Sequence, residues 1–212
     1  FLLANLHDSD PGKDKVDAKD MLELDRWAVD CARRLQEEII KAYNDYEFHV
    51  IYQRLHNFCT VEMGAFYLDI IKDRQYTTRK NSRARRSAQT AICHIIEAMA
   101  RWFAPIMSFT AEEIWRCLPG ARQDSVLLET WYDGLASLDG AALDAKAWEQ
   151  IIRVREAVSK EMETLRAAGD IGSSLDAEVD IYCNLEWHTP LALLGDELRF
   201  VLITSDARIH AP

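Results

Sequence analysis

No stretch of this 212-residue sequence stays apolar for anything near the ~18 residues of a spanning helix, and Phe1 opens without a basic leader or cleavage-site pattern. A membrane span and a secretory signal are therefore not expected, and the protein reads as soluble and cytoplasmic. The five cysteines, Cys31, Cys59, Cys93, Cys117 and Cys183, never fall into Cys-x-x-Cys spacing. That excludes a zinc ribbon or a dithiol redox pair and leaves reduced core thiols as the expectation. The eight glycines are scattered at turns or, for Gly64, inside a helix, so no glycine-rich loop can cradle a phosphate. No nucleophile stands beside a base. His49 and His56 lie seven residues apart on one helix face, but no cysteine or carboxylate completes a metal set around them. Glu112 and Glu113 pair only on a first helical turn, where a cap and the helix dipole account for them. These absences place catalysis outside the chain.

What is present is enough apolar residue, 49% of the sequence, to bury a core in one domain with an appendage or in two small domains. FLLANLHDSDPG begins in an apolar helical pattern with no cap before it and breaks at Asp10-Pro11-Gly12, which reads as the end of a helix in a longer protein. From about Asp20 to Tyr43, Leu24, Trp27, Ala28, Cys31, Leu35, Ile39 and Ala42 recur at three and four residues, predicting an amphipathic helix. A second helix is expected to begin near Glu47 and to end near the basic residues that start at Lys72, turning Val50, Ile51, Leu55, Phe58, Val61, Phe66, Leu68 and Ile71 inward. A third runs from Ser82 to Pro105 through Ala88, Ile92, Ile95, Met99, Trp102 and Phe103. Helices this long with short connections pack antiparallel. APIMSFTAEEIWRCLPG then predicts a short helix with a Thr110–Glu113 capping box, a Phe109–Ile114 staple and a stop at Pro119-Gly120. Residues 121–140 read as a loop crossing the bundle, pinned by Trp131 and Tyr132, before a fourth long helix from Leu143 to Ala167.

After Gly169 the period changes. Alternation in Ala177–Cys183, and more loosely in Leu198–Ile203, predicts two strands linked by a short helical segment at Pro190–Leu194. The expected organisation is therefore mainly α: an antiparallel helical bundle over 1–169 and a small α/β subdomain over 170–212, whose sheet needs more strands than these residues supply.

The most informative stretch is YLDIIKDRQYTTR, residues 67–79, which carries an apolar helix into alternating basic and aromatic residues. From Lys72 to Arg86 seven bases (Lys72, Arg74, Arg79, Lys80, Arg83, Arg85, Arg86) face one acid, Asp73, a balance of +6 inside a chain of formal charge −10. An acidic protein that gathers its positive charge in one place attracts a polyanion there and repels it elsewhere. Tyr76 adds a stacking face among the charges, while Tyr67 reads as core. The competing reading is a solvated or ion-paired helix surface, as on a protein-interaction scaffold with a basic patch for an acidic partner.

YLDIIKDRQYT at 67–77, ARRSAQTA at 84–91 and APIMSFTAEEIW at 104–115 closely resemble the C-terminal anticodon-binding region of the bacterial isoleucyl-tRNA synthetases, within the Ile/Val/Leu/Met subgroup of class I. LDRWAVDCA at 24–32, AYNDYEFH at 42–49, FCTVEMGAFYLD at 58–69 and LGDELRFVLITS at 194–205 extend the likeness to nearly the whole chain. Ser108 stands where the other members of the subgroup generally carry a second proline, as in the isoleucyl members. The resemblance implies a bundle that grips the anticodon stem-loop of isoleucine tRNA, joined to the catalytic core of a longer, monomeric parent chain. It also implies ATP with Mg and a C-terminal zinc in that parent and no cofactor within these residues. The His-Ile-Gly-His and Lys-Met-Ser-Lys-Ser signatures, the editing domain and the paired Cys-x-x-Cys module are all absent from this sequence. Applied to the basic junction, the resemblance makes Lys72 and Arg74 the expected anticodon contacts and Arg79, Arg83 and Arg86 the expected phosphate contacts. For Tyr76, stacking on the RNA and packing under the loop both stand open, and Arg85 pairs equally well with a bundle carboxylate.

Overall fold

The computed structural model describes residues 1–211. It forms two compact units, the first Phe1–Ser137 and the second from Leu138 onward. This division precedes the fourth long helix, whereas the change of sequence period follows it, at Gly169.

The first unit is helical: α1 (Glu23–Asn44), α2 (Phe48–Asn57), a π-helical stretch (Phe58–Tyr67), α3 (Leu68–Thr77), α4 (Arg83–Phe103) and α5 (Ser108–Cys117). α1 lies along α4 and also touches α2 and the π stretch. It buries Leu24, Trp27, Ala28, Leu35, Ile39 and Ala42 as their spacing predicts. On its outer side Arg33 bridges Asp30 and Glu37 within the helix. At the centre Trp102 is fully buried and donates its indole N–H to Gln36 Oε1 at 3.0 Å, and its carbonyl accepts from the Tyr43 hydroxyl at 2.7 Å.

The helix expected to begin near Glu47 runs continuously from Phe48 to Thr77, but its middle third unwinds into the wider π turn. The wider turn rotates the apolar stripe, so Val61, expected inside, is exposed, and Met63, Tyr67 and Ile70 fill the core with Phe58 and Phe66. Gly64 belongs to that wide turn, where a Cβ would fall 2.9 Å from the Cys59 carbonyl oxygen.

At α5 the capping box does not form. The helix starts at Ser108 after Met107, which puts Thr110 inside the first turn, and Phe109 is 91% exposed rather than stapled. Glu112 instead accepts from the Ser125 hydroxyl and from the Val126 N–H at 3.0 Å, tying α5 to the following loop. That loop is pinned where expected: Tyr132 gives its carbonyl to Gln36 Nε2 at 2.7 Å and its hydroxyl lies 2.7 Å from His94 Nδ1, while Trp131 packs on Tyr43. The five cysteines are free, but only Cys93 is buried; Cys59 and Cys117 are exposed, so the core reading of those two is corrected.

The second unit comprises α6 (Ala145–Ala168), β1 (Glu178–Tyr182), α7 (Leu185–Leu194), α8 (Glu197–Leu202) and β2 (Asp206–His210). Asp144 caps α6 through the Ala147 N–H at 2.9 Å, and Gly169, at φ 82°, ends it in the left-handed conformation that glycine adopts without strain. β1 is the predicted strand, but the second differs. Leu198, Val201 and Leu202 are buried at helical spacing, so the run read as a strand is α8, and Ile203 (φ 56°) stops it. The true partner is Asp206–His210, parallel to β1 with Glu178 opposite Asp206 and Tyr182 opposite His210. α7 begins five residues before the expected Pro190, capped by Asn184 on the Trp187 N–H at 3.2 Å. α7 and α8 form the crossover and pack on α6 and β2.

Two outcomes follow. Trp102→Ala should lower unfolding free energy by about 3–5 kcal/mol in urea titration, the usual cost of emptying a large buried aromatic site. Burial holds His94 neutral, lowering its pKa from 6.5 to about 4. Between those values the unfolded chain binds the extra proton, so stability should fall as pH drops from 6.5 toward 4, and His94→Gln should flatten that slope in pH-dependent melting.

Candidate nucleic-acid interface

The sequence-predicted residues meet at one end of the first unit, where α3 stops at Thr77, a five-residue link follows and α4 starts at Arg83. Why the chain folds this way is set by a buried carboxylate. Asp25, on α1, is wholly inaccessible and accepts from the Tyr67 hydroxyl at 2.8 Å and the Ser87 hydroxyl at 2.5 Å. Arg74, on α3, brings a guanidinium nitrogen to 3.6 Å of the same carboxylate. Ser87 also accepts from the Leu22 N–H at 2.8 Å, which fixes the entry to α1. Burial raises the Asp25 pKa, partly offset by the Arg74 charge and the two hydroxyl donors, and burial together with the adjacent carboxylate pushes the Tyr67 phenol well up.

Arg74 is thus 3% exposed and reaches inward. An anticodon contact was expected at Arg74, but the structure turns it away from solvent, beside a core acid that the sequence places 49 positions away. Arg86 is also largely covered, held by Asp14 (3.4 Å), Asn81 (2.9 Å), Gln89 (2.8 Å) and the Asp8 carbonyl (3.1 Å). Arg85 takes the carboxylate alternative, pairing with Asp8 at 2.9 Å and bonding the Gln75 carbonyl. For Asp8, burial alone would raise the pKa, but the Gln89 hydrogen bond and the Arg85, His7 and Lys80 charges bring it below the usual carboxylate value.

The outward set is Lys72, Tyr76, Arg79, Lys80 and Arg83. The Lys72 side chain is 59% exposed, 3.6 Å from Asp69. Tyr76 is 66% exposed, with one edge toward the Phe1 ring at 6.3 Å, so it stands beside the link and not beneath it. Arg79 is exposed, Lys80 reaches only to 4.0 Å of Asp8, and Arg83 bonds the Asp20 carbonyl at 3.0 Å while remaining exposed. Lys80 was left out of the predicted contacts although it lies within the charge run that marks them.

Three arginines occupy the first turn of α4, and no acid does. The helix dipole opposes positive charge there, by about 0.3–1 kcal/mol for each exposed residue. Asp8 and Asp14 compensate Arg85 and Arg86; Arg83 has only a carbonyl. The amide end of α4 is itself capped by Ser82, whose hydroxyl accepts from the Arg85 N–H, and the exposed cations stand on either side of it.

Among the described residues no group of three or more His, Cys, Asp or Glu is placed to hold a metal, and no described helix is long and apolar enough to cross a membrane.

The inward and outward classes are separable by stability. Arg74→Met should cost about 3–5 kcal/mol, since it strands a buried charge. Tyr67→Phe should cost about 1–3 kcal/mol through the lost donor, whereas Lys72→Ala should stay within about 0.5 kcal/mol. Urea denaturation of the three variants checks the order.

The family profile described as the anticodon-binding domain of tRNA ligase matches residues 25–181, which contain the whole junction. The chain is 61% identical over 211 residues to an isoleucine–tRNA ligase of Nitrosococcus oceani, and the match takes in 99% of this chain and 22% of that relative. Isoleucine–tRNA ligases of Halorhodospira halophila and Azotobacter vinelandii are 58% and 59% identical over the same length, again 22% of each relative. The chain therefore spans about a fifth of these relatives. On that match, the chain belongs to the anticodon-binding domain family of tRNA ligases.

Proposed function

We propose that this chain binds the anticodon stem-loop of isoleucine tRNA as part of a longer, monomeric, cytoplasmic isoleucine–tRNA ligase. The observation that carries the reading is the start of α4, where Arg83, unlike Arg85 and Arg86, faces the dipole without an acid while Lys72, Tyr76, Arg79 and Lys80 stand exposed around it. A fold keeps such an unfavourable arrangement where a ligand relieves it. The exposed cations hold phosphates and set the register of the loop. Tyr76 offers its ring to an unpaired base, and Lys72, one turn back on α3, reaches a base edge. Joining isoleucine to its tRNA with ATP, with any magnesium and zinc, belongs to residues outside this chain.

One observation favours a second, protein-binding role. At the far end of α4, roughly 30 Å away along the helix, an apolar groove of about 350 Å³ opens between Phe48, Tyr52, Leu55, Phe103 and Met107. It suits a protein neighbour, not RNA.

Binding to isoleucine tRNA and to a variant changed only in the anticodon, across a salt series, tests the proposal. A preference for the first that persists as affinity falls with salt is expected. Tyr76→Ala should cost about 1–3 kcal/mol, and Arg79→Ala should weaken both RNAs alike and lower the salt slope by about one. Unchanged binding of both RNAs by Lys72→Glu would remove Lys72 from the interface.

A further inference from the structure

The two-stranded parallel sheet of the second unit is open along β1. Ala177 accepts from the Ser205 N–H, and Cys183 donates its N–H to the His210 carbonyl. The odd-numbered residues of β1 therefore point their amides and carbonyls at β2, and by the two-residue period those of Glu178, Asp180 and Tyr182 point away from it. β2 is the only strand paired with β1 among the described residues. Beside it runs a groove of about 670 Å³, lined by all seven consecutive residues from Ala177 to Cys183, by Trp187, and by one face of α6 that includes Val154, Val158, Met162 and Leu165. A groove over one face of a strand would be lined by alternate residues; an unbroken run of seven shows that it follows the strand edge. Its α6 wall carries Lys160 and Glu161 as well, but its apolar residues are incompletely covered: Val154 and Val158 are half-buried and Leu165 is 43% exposed. On the opposite wall Val179 and Ile181 are half-buried as well.

We infer that this edge and groove receive a third strand, an extended segment of the same longer polypeptide lying outside residues 1–212. The inference rests on the ligase reading above. Three features select that occupant. A parallel pair of five-residue strands is marginal by itself, and the helices that pack on this one, α7 and α8, lie against β2, so a further strand along β1 adds to it most directly. About four-fifths of the relatives' length lies outside the region this chain matches, so a covalently attached segment is available at high effective concentration. The groove asks for alternation, with apolar side chains toward Val158, Leu165 and Ile181 and backbone groups toward Glu178, Asp180 and Tyr182. β-strand addition supplies both at once.

Amide hydrogen exchange of the 212-residue chain, compared with that of the full translated polypeptide, tests this. The amides of Glu178, Asp180 and Tyr182 should exchange freely in the former and at least about 100-fold more slowly in the latter, as expected for a closed ladder. Val158→Asp should leave the melting temperature of the 212-residue chain unchanged and lower that of the full polypeptide. Free exchange in both, or an equal effect of Val158→Asp in both, would overturn the inference. So would protection that appears in the 212-residue chain and grows with its concentration, since a second copy would then occupy the edge. The same preparations are assayed for tRNA binding: binding without protection rejects the third strand alone, and protection without binding rejects the ligase reading while the strand stands.

Discussion

The buried carboxylate of Asp25 is the interaction on which the basic junction depends. It joins α1 to Tyr67 before α3, to Arg74 within α3 and to Ser87 in the second turn of α4. A buried ion pair contributes little net stability, because desolvation offsets most of the Coulomb gain. What it supplies is uniqueness of arrangement: the carboxylate is satisfied only when the three helices meet in one register. That register decides which side chains of YLDIIKDRQYTTR face out. Because Arg74 turns inward, Lys72 and Tyr76, two residues to either side, turn outward.

Electrostatics then divides the cluster into two layers. Arg85 and Arg86 are consumed by the chain itself, through Asp8 and Asp14 of the N-terminal segment. The second layer is left to solvent, a local excess of positive charge on a protein whose formal charge is −10, and a polyanion is attracted to it. Local order and long-range steering thus come from the same short stretch of sequence but from different residues within it.

Much of this was legible before the structure. The periods of Leu24–Ala42 and Ala88–Trp102 marked α1 and α4 to within about three residues, and the run from Lys72 to Arg86 spans the turn from α3 into α4 where the exposed cations stand. The pairing of Arg74 and Arg86 with acids of the chain was not legible, because charge clustering shows that bases are near one another and not which of them a distant acid will claim. Asp25, Asp8 and Asp14 are far away in sequence, and only packing brings them in. Val61 was misplaced because a π stretch changes the period without a sequence mark of its own. α8 was read as a strand because Leu198–Ile203 is a short apolar run, for which helix and strand patterns are hard to separate. The actual strand, Asp206–His210, has only two apolar residues, Ala207 and Ile209, with Asp206 before them and Arg208 between them, too weak an alternation to stand out.

The claim that the outward layer alone meets RNA is tested most directly by crosslinking. A photoreactive anticodon stem-loop of isoleucine tRNA would be bound to the chain, and the attached peptides identified by mass spectrometry. Adducts confined to residues 72–83, with Tyr76 among them and none on the apolar end around Phe109, are the expected result. Adducts at the apolar end, or an even scatter over the bundle, would contradict it.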